Sequence, residues 1–387
     1  MKYLMIVLDG VGDIGKTPLM IAKKPNIDKL ARNGTLGLYK INYGKDVNSD
    51  VGYLSLLSSY FKNYPGRGYL EALSVGIQVG KKDVCIRGNF ATLDKNRILV
   101  DRRAGREEYG LDKVCKKFNG TVVDGVRFSV VKSAGHRVVI ILKGKGIDPG
   151  IVPNDPMKTG VRLTHVKAKN KKAEFTAQVI NKFLEKVERE MPKMAINKKR
   201  KFPANTILIR NAGHAAKPDS FKKRFHLKSC CIAGIPIARG VARYLGIDVI
   251  NVKGATGYPN TNLAAKFLSL QKNIKKYDFV FLHINATDIL SHDGKYKEKI
   301  RYIEKIDKHL GKMLAHIDLK NARIAITCDH RTASAPFYKK YRHLNLPVPF
   351  MLSGPGIRAM GMKFDEKNCG KGVKLGQNKF VQFMVKK

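Results

Sequence analysis

The sequence has no tryptophan and few acidic residues, with 31 Asp and Glu among 387 residues. Lys and Arg number 74, so the formal charge at pH 7 is +43. No run approaches the ~18 consecutive apolar residues of a membrane-spanning helix, which excludes a chain built on such helices. The apolar start of the chain is too short for a secretory signal and is typical of a buried strand, so we expect a cytoplasmic protein.

Cysteine is also scarce, and the six cysteines show no C-x-x-C spacing. This pattern favours reduced thiols over a disulfide framework or a zinc site. Hydrophobic residues make up 43% of the chain, which excludes disorder throughout. At ~100–200 residues per domain, the length predicts two or three domains, or one core with a large insertion.

The excess of basic residues raises the possibility of nucleic-acid binding, because Lys and Arg neutralise phosphates. The lysines are scattered, however, and the densest run is only Asn197-Lys198-Lys199-Arg200-Lys201. The sequence has no zinc-finger spacing, no basic region leading into heptads and no RNA-recognition signature. The positive field favours small anionic substrates more than a nucleic-acid partner.

Strand-like and helix-like segments alternate along much of the chain. Apolar runs of strand length end in polar or acidic residues, at Tyr3–Leu8, Ile247–Val252, Phe279–Ile284 and Arg323–Thr327. Helical patterns cover 25–34 and 295–317. This order predicts an α/β fold with a mostly parallel sheet flanked by helices, whose ligands lie at the carboxyl ends of the strands.

The middle of the chain differs and predicts an inserted α+β domain over 71–224, with 1–70 and 225–387 as the core. Shorter strand-like runs occur at 122–131, 137–142 and 206–209, and an amphipathic helix rich in Lys and Glu lies near 171–190.

Potential metal ligands follow four separate strand-like or loop segments. They are Asp9, the Asn48-Ser49-Asp50 segment, Asp288 with His292, and Asp329-His330 with His343. Carboxylate and imidazole groups suit Mn²⁺, Zn²⁺ or a similar divalent ion, and these ligands are too many for one ion. A single Asp at a strand end is usually a turn former or helix cap, so the prediction depends on the joint pattern. Two ions would suit phosphoryl transfer.

Motifs along nearly the whole chain resemble the archaeal-type cofactor-independent phosphoglycerate mutases of the alkaline phosphatase superfamily. The resemblance is carried by Val7-Leu8-Asp9-Gly10, Gly66 to Ala72, Arg87-Gly88-Asn89, Asp101-Arg102-Arg103-Ala104-Gly105-Arg106, His136-Arg137, Gly254 to Gly257, and Asp329-His330. It implies an alkaline-phosphatase-like core with the inserted domain acting as a substrate lid. It also implies a 3-phosphoglycerate to 2-phosphoglycerate isomerase that needs no 2,3-bisphosphoglycerate.

By this resemblance, Ser49 is the nucleophile that carries the phosphoryl group as a phosphoserine. One ion would be held by Asp9, Ser49, Asp329 and His330, and the other by Asp288, His292 and His343. Mn²⁺ is expected, with Mg²⁺, Co²⁺ or Zn²⁺ as alternatives.

The resemblance further assigns substrate-handling residues, mostly to the lid. Asp101, Arg103 and Arg239 would assist catalysis, Asp101 as a proton relay. Substrate-binding roles fall to Arg87, Asn89, Arg102, Arg106, His136 and Arg137. Arginine suits this task because its guanidinium binds carboxylate and phosphate in bidentate fashion.

Four positions depart from the family pattern. Tyr53 replaces a His, Asn285 and Arg239 each replace a Lys, and Met157 replaces a His. These changes leave open a metal-dependent phosphatase or a phosphomutase with another phosphorylated substrate. A basic nucleic-acid-binding protein on an inactive fold is the alternative from another class.

Overall fold

The structure is a computed structural model that describes residues 1–44, 47–57, 64–216, 218, 220–334 and 342–386. The chain divides into two compact units, Met1–Lys62 with Pro218–Lys387 and Asn63–Lys217. The sequence prediction placed these boundaries later, after residues 70 and 224. The first boundary moves because the helix Arg67–Ser74 packs on strands of the second unit. The second moves because Phe221 packs against Phe279 in the core of the first unit.

The strands, numbered in chain order, are β1 (Lys2–Leu8), β2 (Gly34–Tyr39), β3 (Val84–Leu93), β4 (Leu99–Asp101), β5 (Thr121–Val123), β6 (Val126–Lys132), β7 (Arg137–Lys143), β8 (Ile151–Val152), β9 (Lys167–Ala168), β10 (Thr206–His214), β11 (Ser229–Ile232), β12 (Asp248–Val249), β13 (Phe279–Ile284), β14 (Ala322–Thr327), β15 (Arg331–Thr332), β16 (His343–Leu344), β17 (Val348–Ser353) and β18 (Val373–Leu375).

The α-helices, numbered in the same way, are α1 (Pro18–Ile21), α2 (Pro25–Arg32), α3 (Ser49–Leu56), α4 (Arg67–Ser74), α5 (Leu111–Phe118), α6 (Glu174–Glu190), α7 (Phe221–Phe225), α8 (Pro236–Tyr244), α9 (Leu263–Asn273), α10 (Ala286–His292), α11 (Tyr296–Leu314), α12 (Glu366–Gly370) and α13 (Phe380–Val385). Short 3₁₀ turns lie at Ala104–Arg106, Lys171–Ala173, Met191–Lys193, Ala195–Lys199 and Leu319–Asn321.

The first unit is built on an eight-stranded sheet in the order β12-β11-β13-β1-β14-β17-β2-β18. The five strands from β12 to β14 are parallel, β17 runs antiparallel to both neighbours, and β18 is parallel to β2. The predicted α/β class with a mostly parallel sheet is therefore confirmed. Strands β13 and β14 are buried along their whole length, as expected for parallel strands covered on both faces.

Strand order places three acidic residues together. Strand β1 pairs with β13 on one side and with β14 on the other, all three in parallel. Asp9 follows β1, Asp288 lies in α10 just after β13, and Asp329 follows β14. The carboxyl ends of adjacent parallel strands meet at one edge of the sheet, so the predicted ligands lie there together.

The second unit contains a six-stranded sheet whose main path is β10-β3-β7-β6-β5, with β4 paired to β3. Every pair in it is antiparallel. Helices α5 and α6 bury their apolar faces against this sheet, where the rings of Phe128 and Phe183 stack 4.3 Å apart. The unit thus has a hydrophobic core of its own.

Two strand predictions were wrong in extent. The run 122–131 is two strands, because Asp124 and Gly125 adopt positive φ angles and form a tight hairpin turn. The strand predicted over 247–252 is reduced to β12, which lies at the sheet edge and, among the described strands, pairs with β11 alone. The helix predicted over 295–317 is confirmed as α11, which ends at Leu314.

All six cysteines are free and buried. Within the part of the chain that the structure describes, no helix combines the length and the apolar character required to cross a bilayer.

Candidate active site

Asp9 is buried at the end of β1, with its two carboxylate oxygens in different surroundings. Oδ2 accepts a hydrogen bond from the hydroxyl of Tyr53 and lies 3.0 Å from Nε2 of His283. Oδ1 has no hydrogen-bond partner and lies 3.5 Å from Nε2 of His330. A buried carboxylate oxygen without a partner is unfavourable, and a cation would satisfy it. Oδ1 is therefore the oxygen of Asp9 that we expect to face a metal ion.

Ser49 is the first residue of α3, directly after the helix cap Asn48. Its hydroxyl oxygen lies 3.1 Å from Nε2 of His330. The tight approach of α3 to the loop after β14 depends on Gly52, where a Cβ atom would lie 2.5 Å from the backbone oxygen of Asp329. The helix therefore carries Ser49 up to the predicted ligands.

Asp288, His292 and His343 form one cluster of metal-ligating groups. The two histidine Nε2 atoms are 3.0 Å apart, and both lie within 3.5 Å of Oδ1 of Asp288. Asp288 and His292 share a face of α10 because they are four residues apart. His343 is placed by the pairing of β16 with β15, and its Nδ1–H donates to the backbone oxygen of Val47. This bond leaves Nε2 of His343 available as a ligand atom.

Asp9, Asp288 and His330 form a second cluster, so Asp288 belongs to both. Asp329 adjoins this cluster, with Oδ2 3.2 Å from Nε2 of His330. Oδ1 of Asp329 accepts from the backbone N–H of Gly10 at 3.3 Å, whereas Oδ2 is buried without a hydrogen-bond partner. The predicted metal ligands of the first unit are thus brought together, and the donor set fits divalent cations.

Burial and mutual charge dominate the electrostatics of these groups. Burial, and next the negative charges of Asp9 and Asp288, raise the pKa of Asp329 well above its usual value. Burial also lowers the pKa of His330 to about 4, with a further contribution from His343. Burial opposes ionisation of Asp288, but the hydrogen bond from His343 and the neighbouring imidazoles lower its pKa. A divalent cation would stabilise this cluster of buried acids and imidazoles.

Thr332, which sequence reasoning missed, connects the two clusters. Its hydroxyl accepts from Nδ1–H of His330 at 3.0 Å and donates to Oδ1 of Asp288 at 2.9 Å. This chain of bonds sets the tautomer of His330 and leaves its Nε2 facing Ser49. The approach requires Gly10, where a Cβ atom would lie 2.5 Å from the Thr332 hydroxyl.

His283 and Tyr53 are two further residues whose position the sequence did not predict. His283 lies in β13 in register with Val7, and both it and Tyr53 are fully buried. Burial, and next the charges of Asp329 and Asp9, raise the pKa of Tyr53 well above its usual value, so its phenol stays protonated. The sequence signals were a polar His inside an apolar strand and, at Tyr53, a departure from the family pattern.

In the second unit, neighbouring strands gather several predicted substrate-binding residues. Arg87 and Asn89 lie on one face of β3, in register with Arg210 of β10 and Arg137 of β7 respectively. Arg87 pairs with Glu71 at 3.1 Å. Oδ1 of Asn89 is buried without a hydrogen-bond partner. Arg210 was not predicted, because nothing in the sequence identifies its strand as a neighbour of β3.

The Asp101–Arg106 segment forms a turn of the same unit. Oδ1 of Asp101 accepts from the backbone N–H groups of Arg103 and Gly105, at 2.7 and 3.0 Å. The guanidinium of Arg102 binds Asp155 through two hydrogen bonds of 2.9 and 2.8 Å. Burial, and next the charges of Arg106 and Arg102, lower the pKa of Arg103. Arg103 forms no ion pair with any described residue, so its guanidinium remains available to an anion.

His136 lies beside these arginines. Burial, and next the charge of Arg137, lower the pKa of His136 to about 3, which keeps its imidazole neutral. Arg106 adds a further positive charge close to both Arg103 and His136.

Of the other departures from the family pattern, Arg239 and Asn285 have surroundings of their own, whereas the sulfur of Met157 accepts hydrogen bonds from Arg102 and Arg210. Arg239 of α8 donates to Oδ1 of Asn251 at 2.6 Å. The amide of Asn285 donates to the backbone oxygen of Gly257 at 2.8 Å. Met157 is exposed.

Comparison with known proteins agrees with this architecture. Residues 1–386 match the family model described as "Metalloenzyme superfamily". A 2,3-bisphosphoglycerate-independent phosphoglycerate mutase of Methanocaldococcus jannaschii is 36% identical over 388 residues, covering 96% of this chain and 93% of the relative. The mutase of Thermococcus kodakarensis is 38% identical over 389 residues, with coverages of 96% and 93%.

Two solved structures have the same fold. A protein from Pyrococcus horikoshii superposes with a TM-score of 0.82 at 31% identity, covering 99% of this chain and 96% of its own. The cofactor-independent phosphoglycerate mutase of Thermoplasma acidophilum gives a TM-score of 0.67 at 27% identity, with coverages of 100% and 99%. The chain therefore belongs to the family of 2,3-bisphosphoglycerate-independent phosphoglycerate mutases, within the metalloenzyme superfamily.

Proposed function

We propose that this protein interconverts 3-phosphoglycerate and 2-phosphoglycerate, in glycolysis and gluconeogenesis, through a phosphoserine on Ser49. The observation that carries the proposal is the Ser49 hydroxyl, 3.1 Å from Nε2 of His330 and next to ligand clusters that share Asp288. The names of the relatives supply the substrate and the independence from 2,3-bisphosphoglycerate. Because this reaction belongs to central carbon metabolism, we assign the protein to the cytoplasm.

Two divalent ions are part of the proposal, with Mn²⁺ preferred and Mg²⁺, Co²⁺ or Zn²⁺ as alternatives. One ion would be held by Asp9, Ser49, Asp329 and His330, and the other by Asp288, His292 and His343. When bound, such ions lower the pKa of a coordinated hydroxyl and neutralise charge on a phosphoryl group. The unpartnered buried oxygens of Asp9 and Asp329 support this assignment.

The chemistry at Ser49 consists of two transfers. In the first, Oγ of Ser49 loses its proton and bonds to phosphorus while the bond from phosphorus to the glycerate oxygen breaks, and that oxygen takes up a proton. In the second, the other glycerate hydroxyl loses its proton to attack the same phosphorus, and Ser49 is released and reprotonated. Ser49 begins α3, and the N–H groups and dipole of a helix N-terminus stabilise phosphate.

The second unit is proposed to act as the substrate lid that retains glycerate between the two transfers. A phosphoserine exposed to water would hydrolyse, so a mutase must exclude water and hold its intermediate. Arg103 supports this role, since it is exposed close to Arg106 and Arg102 and forms no ion pair with a described residue. Guanidinium groups of this kind bind carboxylates in bidentate fashion. Asp101 as a proton relay and Arg239 as a catalytic group remain predictions.

A coupled assay tests this function. The chelator-treated protein receives Mn²⁺ and 3-phosphoglycerate without 2,3-bisphosphoglycerate, and enolase reports 2-phosphoglycerate while free phosphate is counted in parallel. We expect isomerisation with little phosphate release. Phosphate release without isomerisation would instead establish a phosphatase. Formation of neither product by protein that binds Mn²⁺ would refute phosphoglycerate as the substrate.

A further inference from the structure

We propose that Tyr53 is a positioning residue for Asp9, whose hydroxyl occupies one carboxylate oxygen so that the other faces the metal ion. The inference rests on the proposed function, because it assumes that Asp9 binds an ion. It goes beyond that function because it assigns a role to a residue that departs from the family pattern. The resemblance places a His at this position, where a contact with substrate or assistance in proton transfer would be its expected role.

The geometry around Oδ2 of Asp9 carries the argument. The Tyr53 hydroxyl donates to Oδ2, and Nε2 of His283 lies 3.0 Å from the same oxygen and 2.9 Å from the Tyr53 hydroxyl. Oδ1 of the same carboxylate has no hydrogen-bond partner. Oδ2 therefore has two hydrogen-bond partners, and Oδ1 is left available to bind a metal ion.

The protons available on Tyr53 and His283 show which groups donate to Oδ2 of Asp9. A phenol has a single proton, and because a carboxylate can only accept, that proton lies in the bond to Asp9. Nε2 of His283 faces two oxygens and no hydrogen, so it carries the imidazole proton and donates. Nδ1 of His283 is then the unprotonated nitrogen, and it is buried without a partner. Oδ2 of Asp9 thus receives two donors, which leaves Oδ1 for an ion.

The position of the Tyr53 ring is fixed by its packing. Tyr53 is fully buried, and its ring makes edge contacts with His283 at 5.1 Å and with Phe281 at 6.3 Å between centroids. Because the ring is fixed, its hydroxyl stays in one place and holds the Asp9 carboxylate in one orientation. Hydrogen-bond partners of metal ligands contribute about 10–100-fold to metal affinity.

The test is a calorimetric titration of chelator-treated protein with MnCl₂, in the absence of substrate. In Tyr53→Phe, which removes only the hydroxyl, we expect one of the two ions to bind about 10–100-fold more weakly. The ion bound by Asp288, His292 and His343 should keep its affinity. Tyr53→His restores a donor and should recover part of the lost affinity.

A matched control is Tyr39→Phe. Tyr39 is equally buried, and its hydroxyl donates to the backbone oxygen of Ser55 at 2.8 Å. This variant also loses a buried hydrogen bond, but both Mn²⁺ affinities should remain those of the wild type. If Tyr53→Phe does not fold, 4-fluorophenylalanine at position 53 fills the same volume without a donor, and the same weakening is expected.

The outcomes separate this inference from the proposed function. Wild-type protein that binds two ions, with unchanged affinities in the variant lacking the Tyr53 hydroxyl, would overturn the inference alone. Equal loss in Tyr39→Phe would also overturn it, because general destabilisation would then explain the effect. Wild-type protein that binds no divalent ion would overturn the proposed function and this inference together.

Discussion

The hydroxyl oxygen of Ser49 lies 3.1 Å from Nε2 of His330. Ser49 reaches this position because it begins α3, whereas His330 follows strand β14, and the two elements are far apart in sequence. Nδ1–H of His330 is bound to Thr332, so Nε2 offers its lone pair toward Ser49 and the candidate ion. This contact joins the proposed nucleophile to the candidate metal site.

Ser49→Ala should abolish turnover, with a loss of about 10⁴-fold or more in kcat, as expected when a nucleophile is removed. The substitution deletes one oxygen at a half-buried helix N-terminus, so the free energy of unfolding should change little. Ser55→Ala is the control on the same helix, since the Ser55 hydroxyl contacts Tyr39 and lies apart from the ligands. Appreciable mutase activity in Ser49→Ala would refute the phosphoserine route.

Thr332→Val should lower kcat and metal affinity by about 10–100-fold, because it removes the hydroxyl that orients both His330 and Asp288. Valine has nearly the same shape, so the fold should persist. Thr327→Val is the matched control, since its buried hydroxyl donates to the backbone oxygen of Pro349 instead. The control should keep both the wild-type kcat and the wild-type Mn²⁺ affinity. Equal effects of the two substitutions would exclude a specific role for Thr332.

Arg103→Ala should raise the ratio of phosphate release to isomerisation, because glycerate would escape before the second transfer. The measurement is the two-product assay, with free phosphate and 2-phosphoglycerate counted in the same reaction. Arg127→Ala removes an exposed arginine of the same unit and serves as the control. An unchanged ratio in Arg103→Ala would exclude Arg103 from substrate retention.

Lys266 provides a pH-dependent prediction about stability. It is fully buried with its amine donating to the backbone oxygen of His283, and burial lowers its pKa to about 8. Between that folded-state pKa and the unfolded value of about 10.4, the unfolded chain binds more protons than the folded one. The free energy of unfolding should therefore rise with pH in this window, by up to about 1.4 kcal/mol per pH unit from this residue.

The free energy of unfolding, measured by denaturant titration between pH 8 and 10, checks this prediction. The lower limit is the pKa of about 8 for Lys266, and the upper limit lies near the unfolded pKa of about 10.4. Lys266→Met should lose the rise, whereas Lys272→Met, on the exposed face of the same helix, should retain it. Parallel pH curves for the wild type and Lys266→Met would contradict the prediction.

Much of the site could be predicted because its ligands follow recognisable strands. Asp9 comes directly after a continuous apolar run, Asp329 follows the strand-like run Arg323–Thr327, and Asp288 with His292 has helical spacing. The fold class follows from the same alternation of strands and helices. Ser49 was assigned from the resemblance alone, since no strand or helix pattern distinguishes it.

The remaining features depend on contacts between distant segments. Strand order is not encoded locally, so the adjacency of β13, β1 and β14 could not be derived from periodicity. For the same reason the sequence did not show that Tyr53 meets Asp9 or that Thr332 connects two ligands. The first unit boundary differs from the prediction because α4 packs on strands of the second unit, and the second differs because Phe221 packs on Phe279.

The most direct test of the central claim is mass spectrometry of protein quenched in acid during turnover of 3-phosphoglycerate with Mn²⁺. We predict a phosphate on the peptide that contains Ser49, appearing within a single turnover and absent from Ser49→Ala. Isomerisation at the wild-type rate with Ser49 unmodified, or with the phosphate on another residue, would contradict the account.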